Sequence, residues 1–299
     1  MEFKDIRDLV KVAARAWSDD YAQSMGAALA YYTMFSIAPL LLIVISIAGL
    51  VFGEDAARGE IFGQLRGLLG PPVALAIQGL LESVNKPAES VTATAIGIVL
   101  LLIGATSVFG ELQDSLDRIW RAPARDRTRG SGIWRLVRAR LLSFGMILGA
   151  GLLLILSLVA SACLAALQKW WGPLFSGWAS VARVLDLALG FVLATVVFAM
   201  IYKLMPRVRI HWKDVWIGAI VTSVLFTAGK HVIGVYIGKS GVSSGFGAAA
   251  SLVVLLVWVY YSAQIFLLGA EFTWAYTHRF GSRKGLPLPQ AAAVPHAPN

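Results

Sequence analysis

The chain has one cysteine, Cys163, in 299 residues, which excludes a disulfide framework and a cysteine-based metal site. Its four histidines, His211, His231, His278 and His296, are scattered, and none forms a ligand-spaced group of the kind a metal-dependent nuclease needs. Charge is scarce: 14% of the residues are Asp, Glu, Lys or Arg, where a soluble domain carries about 25%. Acid is scarcer than base, 17 residues against 26, for a net charge of +9. Apolar residues, by contrast, make up 58% of the chain. An apolar, basic chain is either embedded in a membrane or a nucleic-acid binder with an unusual core, and the placement of the charges decides between them.

Hydrocarbon about 30 Å thick takes about 20 apolar residues of helix. Six runs qualify: residues 27–52, 91–109, 141–167, 181–205, 215–238 and 248–276. Barrel strands would alternate in character over about ten residues, whereas these runs are continuous. The expected fold is all-α, a polytopic membrane helix bundle with six transmembrane helices, an N-terminal amphipathic helix and a helical outer loop. It divides into an amphipathic segment over 1–25, a six-helix transmembrane domain over 26–280 and a disordered tail over 281–299, rich in Pro and Ala. The first residues, Met1-Glu-Phe-Lys-Asp-Ile-Arg, show no cleavable signal pattern, so the first run is expected to remain in the mature chain.

Six crossings put both termini on one side, and 19 of the 26 basic residues fall there. Five lie on the other side, and Arg183 and Lys230 lie within spans. A Lys and Arg excess marks the cytoplasmic face, so both termini are expected in the cytoplasm. Eight of the 19 are arginines of one loop, from Arg118 to Arg140. That loop reads as positive-inside with anionic headgroups as its partner. Nucleic-acid binding would interleave aromatics with the bases; only Trp120 and Trp134 are present, and no nucleic acid is expected.

Outside the spans, Phe3, Ile6, Val10, Ala13 and Trp17 recur at spacings of three and four, flanked by Lys4, Lys11 and Arg15. This predicts a helix on the inner membrane surface, or one packed on the end of the bundle. In the outer loop 53–90, Gly70-Pro71-Pro72 separates two amphipathic stretches, read as interfacial helices that cap the bundle or as a substrate lid. The second span should continue as helix to Trp120, with acid-first i,i+4 pairs Asp114/Arg118 and Asp117/Arg121, and stop at Pro123.

Three local patterns carry a family resemblance. Ala28-Leu-Ala-Tyr-Tyr-Thr-Met-Phe-Ser-Ile-Ala-Pro-Leu-Leu-Leu opens the first span, and Leu112-Gln-Asp-Ser-Leu-Asp-Arg-Ile-Trp follows the second. Leu255-Leu-Val-Trp-Val-Tyr-Tyr-Ser-Ala-Gln-Ile-Phe-Leu-Leu-Gly-Ala-Glu closes the sixth. In this order, over about residues 10–280, they resemble the YihY/BrkB family of bacterial inner-membrane proteins, which older usage labels ribonuclease BN. The resemblance implies a six-helix bundle with cytoplasmic termini, and no settled activity.

Polar groups inside spans are costly and mark function or helix packing. On the first span Tyr32, Ser36 and Pro39 share a face, and Pro39 is expected to kink the helix. On the sixth, Tyr260, Gln264 and Glu271 share a face. Facing each other, the two stripes would line a substrate pathway; packed, they would bind helices together. Glu271, and Glu111 at the matching end of the second span, would pair with basic-loop arginines or serve as proton or cation sites. Toward the outer side lie Arg183, Asp186, Lys230 and His231. Lys230 sits about 12 Å from the end of its span at 1.5 Å per residue, and a contact or shared cavity with Asp186 is predicted.

Gly234-Val-Tyr-Ile-Gly238-Lys239-Ser240 has three residues between its glycines where a phosphate loop has four, and it reads as a small-residue turn with a helix-packing Gly-x-x-x-Gly. No ATPase, cofactor or catalytic residue is expected. The sequence therefore points to a non-enzymatic inner-membrane transporter of a small or amphiphilic, lipid-like substrate. The alternatives are a non-transporting structural or accessory envelope protein and, least favoured, a membrane-bound ribonuclease. Membrane lipids are the expected partners; the oligomeric state is open.

Overall fold

The computed structural model describes residues 3–69, 71–84, 107–123, 178–239 and 250–285, and every regular element among them is a helix. In chain order these are α1 (Phe3–Asp19), α2 (Ala22–Phe52), α3 (Glu54–Leu69), α4 (Pro71–Val84), α5 (residues 107–119), α6 (Trp178–Leu204), α7 (Trp212–Lys239) and α8 (Ala250–Arg279). The third expected span, the second up to residue 106, the basic loop after residue 123, Cys163 and the tail after residue 285 lie outside the described residues.

Three described segments are long and apolar enough to cross a membrane: Ser180–Leu204, Trp212–Ile237 and Leu252–Arg279. They coincide with the last three expected spans. Their outward side chains are apolar too. Val184, Leu187 and Val192 on α6 and Val224, Val232 and Val235 on α7 are exposed on the isolated chain. Outward apolar surface of this extent is what a helix facing lipid presents. Trp212 and Trp216, both exposed at the start of α7, sit where indoles prefer the headgroup level.

Helix α8 is the centre of the bundle, packed on α1, α2, α4 and α7. One core cluster gathers Leu9, Met25, Leu116, Ile119, Trp120, Tyr202, Leu267 and Trp274 at the end that carries α1. The other joins Ile45, Ile77, Leu81, Ile233, Ile237, Leu255 and Trp258 at the opposite end. The break before Pro71 falls as the sequence predicts, since proline is preorganised for a first helical turn. Helix α4 is nevertheless a core element, because Val73, Ile77 and Leu81 are buried against α7 and α8.

Glycine sets how closely the helices approach. A Cβ on Gly218 would overlap the Thr273 side chain, and one on Gly269 would overlap Thr222. Between them the Tyr202 hydroxyl donates to the Phe266 carbonyl (2.8 Å) and lies 3.0 Å from the Thr222 hydroxyl. Polar cement of this kind, joining α6, α7 and α8, fits a bundle whose surroundings offer no water.

Three local expectations meet the structure, and one of them, the buried face of α1, is revised. Helix α1 does pack on the bundle, but its buried face is Leu9, Ala13 and Ala16, while Ile6 and Val10 remain exposed. The predicted stripe therefore lies to one side of the true contact face. The Gly-x-x-x-Gly from Gly234 to Gly238 lies within a helix, while the surroundings of Gly238 and the expected turn at Ser240 lie outside the described residues. Helix α7 continues through the two glycines to Lys239, and no described atom lies within 4 Å of where a Gly234 Cβ would sit. Finally, α2 runs as one helix through Pro39; the proline side chain itself is outside the description.

Candidate functional site

Two non-glycine residues with positive φ occur among the described residues, Tyr21 (56°) and Arg121 (47°). A left-handed conformation costs an L-residue roughly 1–2 kcal/mol, so something must hold each in place. Tyr21 makes the sharp turn from α1 into α2. Arg121 ends α5 three residues after its helical carbonyl partner, its N–H donating to Arg118 (3.0 Å) while the Ala122 N–H donates to Asp117 (2.8 Å). The stop comes two residues before Pro123 and is made by this left-handed residue, in the role glycine usually takes.

The two turns meet. The Arg121 guanidinium lies 3.6 Å from the Asp20 carboxylate and 5.2 Å from the ring centre of Trp274 on α8. Both members of the ion pair are largely shielded, with 19% and 12% of their side chains exposed. One turn of α8 before Trp274 stands Glu271, which is completely buried. Neither of its carboxylate oxygens meets an N–H or hydroxyl donor. The Asp20 carboxyl lies against it, and Arg121 supplies the nearby positive charge.

Asp20, on the turn outside the spans, is held above the usual aspartate range chiefly by its burial. Arg121, the Glu271 carboxyl and Arg118 pull the other way, and Asp19 adds repulsion. At this end the indole N–H groups of Trp17, Trp120 and Trp274 are also buried without acceptors. These residues belong to, or pack on, the core cluster at this end. The site is therefore buried, polar and incompletely satisfied in its hydrogen bonding.

The other residues singled out by sequence separate into distinct settings. Gln264 is not beside Glu271. Its amide donates to the Ala22 and Gln23 carbonyls at 3.4 Å, where a Gly26 Cβ would collide with it, so it cements α8 to the start of α2. Ser36 is buried and donates to the Thr33 carbonyl (3.3 Å), while Tyr32 and Tyr260 are half-buried. Glu111, at the foot of α5, is held above the usual range by burial and by Asp114, with Arg118 opposing.

Lys230 is half-buried on α7. His231 faces outward, its Nδ1 2.8 Å from the Thr227 carbonyl. Arg183 and Asp186 lie on α6 with their side chains outside the description, so the Asp186–Lys230 contact falls outside the described residues. The acids of α5 reach across the bundle: Asp117 accepts from the Arg207 N–H (2.8 Å) and pairs with its Nε (3.1 Å), and Asp114 lies 3.9 Å from the same guanidinium.

Sequence reasoning picked out Glu271 and missed Asp20. The available signal was an acid seven residues ahead of the first predicted span. Among the described residues no three of His, Cys, Asp and Glu gather as a metal group. A second feature, a cleft of about 210 Å³ between α3 and α4, is bordered by Phe62, Arg66, Leu75 and Gln78.

Comparison with known proteins places this architecture. A family model described as virulence factor BrkB matches residues 13–293. A UPF0761 membrane protein of Psychromonas ingrahamii is 31% identical over 252 residues, covering 82% of this chain and 79% of that protein. Its counterpart in Tolumonas auensis is 28% identical over 263 residues, covering 87% and 82%. The Pseudomonas paraeruginosa relative is 26% identical over 291 residues, 96% of this chain and 67% of its own length. A Pseudomonas aeruginosa relative is matched over 62% of its length, so the chain spans about two thirds of these longer relatives. No solved structure matches.

Proposed function

The chain belongs to the BrkB family of membrane proteins, and from that premise we propose that it is a non-enzymatic transporter of a small or amphiphilic substrate, coupled to protons rather than to ATP. The observation that supports this reading is Glu271, buried without a hydrogen-bond donor and set against Asp20. An ionised carboxylate left so would be strongly destabilising, so evolution's simplest use of it is as a group that takes up and releases a proton. Arg121 completes the device: it neutralises whichever carboxylate is ionised, and its left-handed turn ties α5 to α1. In this reading the protein sits in the bacterial inner membrane, six helices crossing it, with the α1 helix and both termini cytoplasmic. The carboxyl pair then occupies the cytoplasmic mouth.

The test uses the full chain in liposomes carrying an internal pH dye and a fluorescent phospholipid. Under an imposed pH gradient the wild type should dissipate the gradient or move the labelled lipid, and Glu271→Gln should do neither while remaining folded. Equal proton flux in the two proteins would overturn proton coupling at this site. A second reading, a non-transporting envelope protein, draws on the Gln264 contact at Gly26, where the polar stripe packs helices. It requires that no proton or lipid movement exceed that of empty liposomes.

A further inference from the structure

At about 100° per residue, the side chains of α1 divide into arcs that the tertiary packing sorts by partner. Leu9, Ala13 and Ala16 form the arc buried on the bundle. On one side of it lies an acidic arc, Asp5, Asp8 and Asp19, from which Asp8 reaches Arg279 of α8 at 3.5 Å. On the other side lies an apolar arc in which Ile6 is 46% and Val10 52% exposed, with the half-buried Trp17 between them in angle. Beyond that come Lys4, Arg7, Lys11 and Arg15, all exposed. Asp8 of the acidic arc thus meets the α8 terminus, while Ile6 and Val10 on the other side stay exposed, with Arg7 and Lys11 the bases nearest them in angle and Lys4 and Arg15 beyond.

We propose that this flank of α1 is a docking surface for anionic phospholipid, with Ile6 and Val10 entering the headgroup–acyl boundary and Lys4, Arg7, Lys11 and Arg15 binding the headgroups. The order of the arcs carries the assignment. An interfacial helix needs apolar side chains at the acyl boundary and bases beside them at headgroup level. A soluble protein partner would leave the position of α1 unexplained: the two-residue turn Asp20-Tyr21 joins it to α2, which exposes Tyr31 and Phe35. That attachment puts the flank at the mouth of a bundle already surrounded by lipid. The surface differs from the arginine-rich loop after α5, and the assignment does not depend on any transport activity.

The single native cysteine makes the test direct. In a Cys163→Ser background, Val10→Cys and, as a control, Val12→Cys on the acidic side each carry an environment-sensitive fluorophore. The full-length protein is placed in nanodiscs with acyl chains brominated near the headgroup, with and without phosphatidylglycerol. The Val10 label should be quenched, more strongly with phosphatidylglycerol, and the Val12 label should not. Removing the four bases as Gln should weaken the dependence on phosphatidylglycerol, by about fivefold in lipid affinity for each base. A Val10 label that stays solvent-like, or quenching indifferent to lipid charge, overturns the proposal. So does a label shielded from an aqueous quencher yet untouched by the brominated chains, which would mean a second copy or another protein covers the flank. Ile6→Cys replaces Val10→Cys if the latter does not fold.

Discussion

Arg121 stands 3.6 Å from Asp20, and this one ion pair links the turn that opens α2 to the turn that closes α5. Both turns contain the left-handed residues of the described structure, Tyr21 beside Asp20 and Arg121 itself. The strain and the ion pair support one another. The guanidinium meets Asp20 and the Trp274 ring from a residue whose backbone has turned out of the helix.

Arg121→Gln should therefore cost more than an exposed ion pair would. The pair is mostly shielded, and its loss leaves Asp20 and Glu271 without their cation, so a destabilisation of about 2–3 kcal/mol is expected. Thermal unfolding in detergent measures it. A double-mutant cycle with Asp20→Asn should recover much of the loss, because the uncompensated carboxylate is gone; purely additive effects would show that the two side chains do not interact.

The sign of the pH dependence follows from Asp20. Its folded value is raised above the ordinary 3.8, so the folded state binds the proton more tightly than the unfolded chain. The stabilisation is full below that ordinary value and is lost as pH rises through the raised one. The midpoint of unfolding should accordingly fall with increasing pH from about 4 upward across this window. Asp20→Asn should flatten that slope. A wild-type profile that rises over the same window would contradict the assignment.

Glu271→Gln separates function from stability. Glutamine keeps the shape of the side chain and needs no proton, so thermal stability should hold or increase by up to about 1 kcal/mol. Gradient dissipation by the reconstituted protein should disappear. Loss of both together would instead mark Glu271 as a packing residue.

The glycines make a graded prediction. In Gly218→Ala the new methyl would meet the Thr273 side chain at its hydroxyl, Cβ and methyl together, so no rotation relieves it. A loss of about 1–3 kcal/mol is expected. Gly26→Ala meets mainly the mobile end of Gln264 and should cost less. Gly190→Ala meets no described atom on α6 and should gain up to about 1 kcal/mol through helix propensity. The order Gly218, Gly26, Gly190 in thermal shift is the check.

Tyr202→Phe should lose about 1 kcal/mol, since the buried hydroxyl both donates to Phe266 and meets Thr222. Thr222→Val alone should cost a comparable amount, and the double variant less than the sum. Additive losses would show that the two hydroxyls act separately.

The helical class and the last three described spans could be read directly from residue order, because a hydrocarbon layer imposes a length and an apolar composition on any helix within it. Glu271 could be read as well, for a carboxylate near a span's end is expensive wherever it points. The partner of Glu271 was not legible. Residue order offered Asp117 as the partner of Arg121, four residues away on one helix. In the folded chain Asp117 holds Arg207, and Arg121 turns to Asp20. Local spacing gives an ion pair only a weak preference, and a left-handed turn with an acid across the bundle outweighs it. The same holds for α1. Its heptad-like apolar spacing predicted a helix, but which arc is buried was decided by α8, against which Leu9, Ala13 and Ala16 pack while Ile6 and Val10 stay outside. Sequence alone determined what must lie in lipid, since that is set by composition over each run. Tertiary structure decided which polar groups meet, since that depends on contacts between segments far apart in the chain.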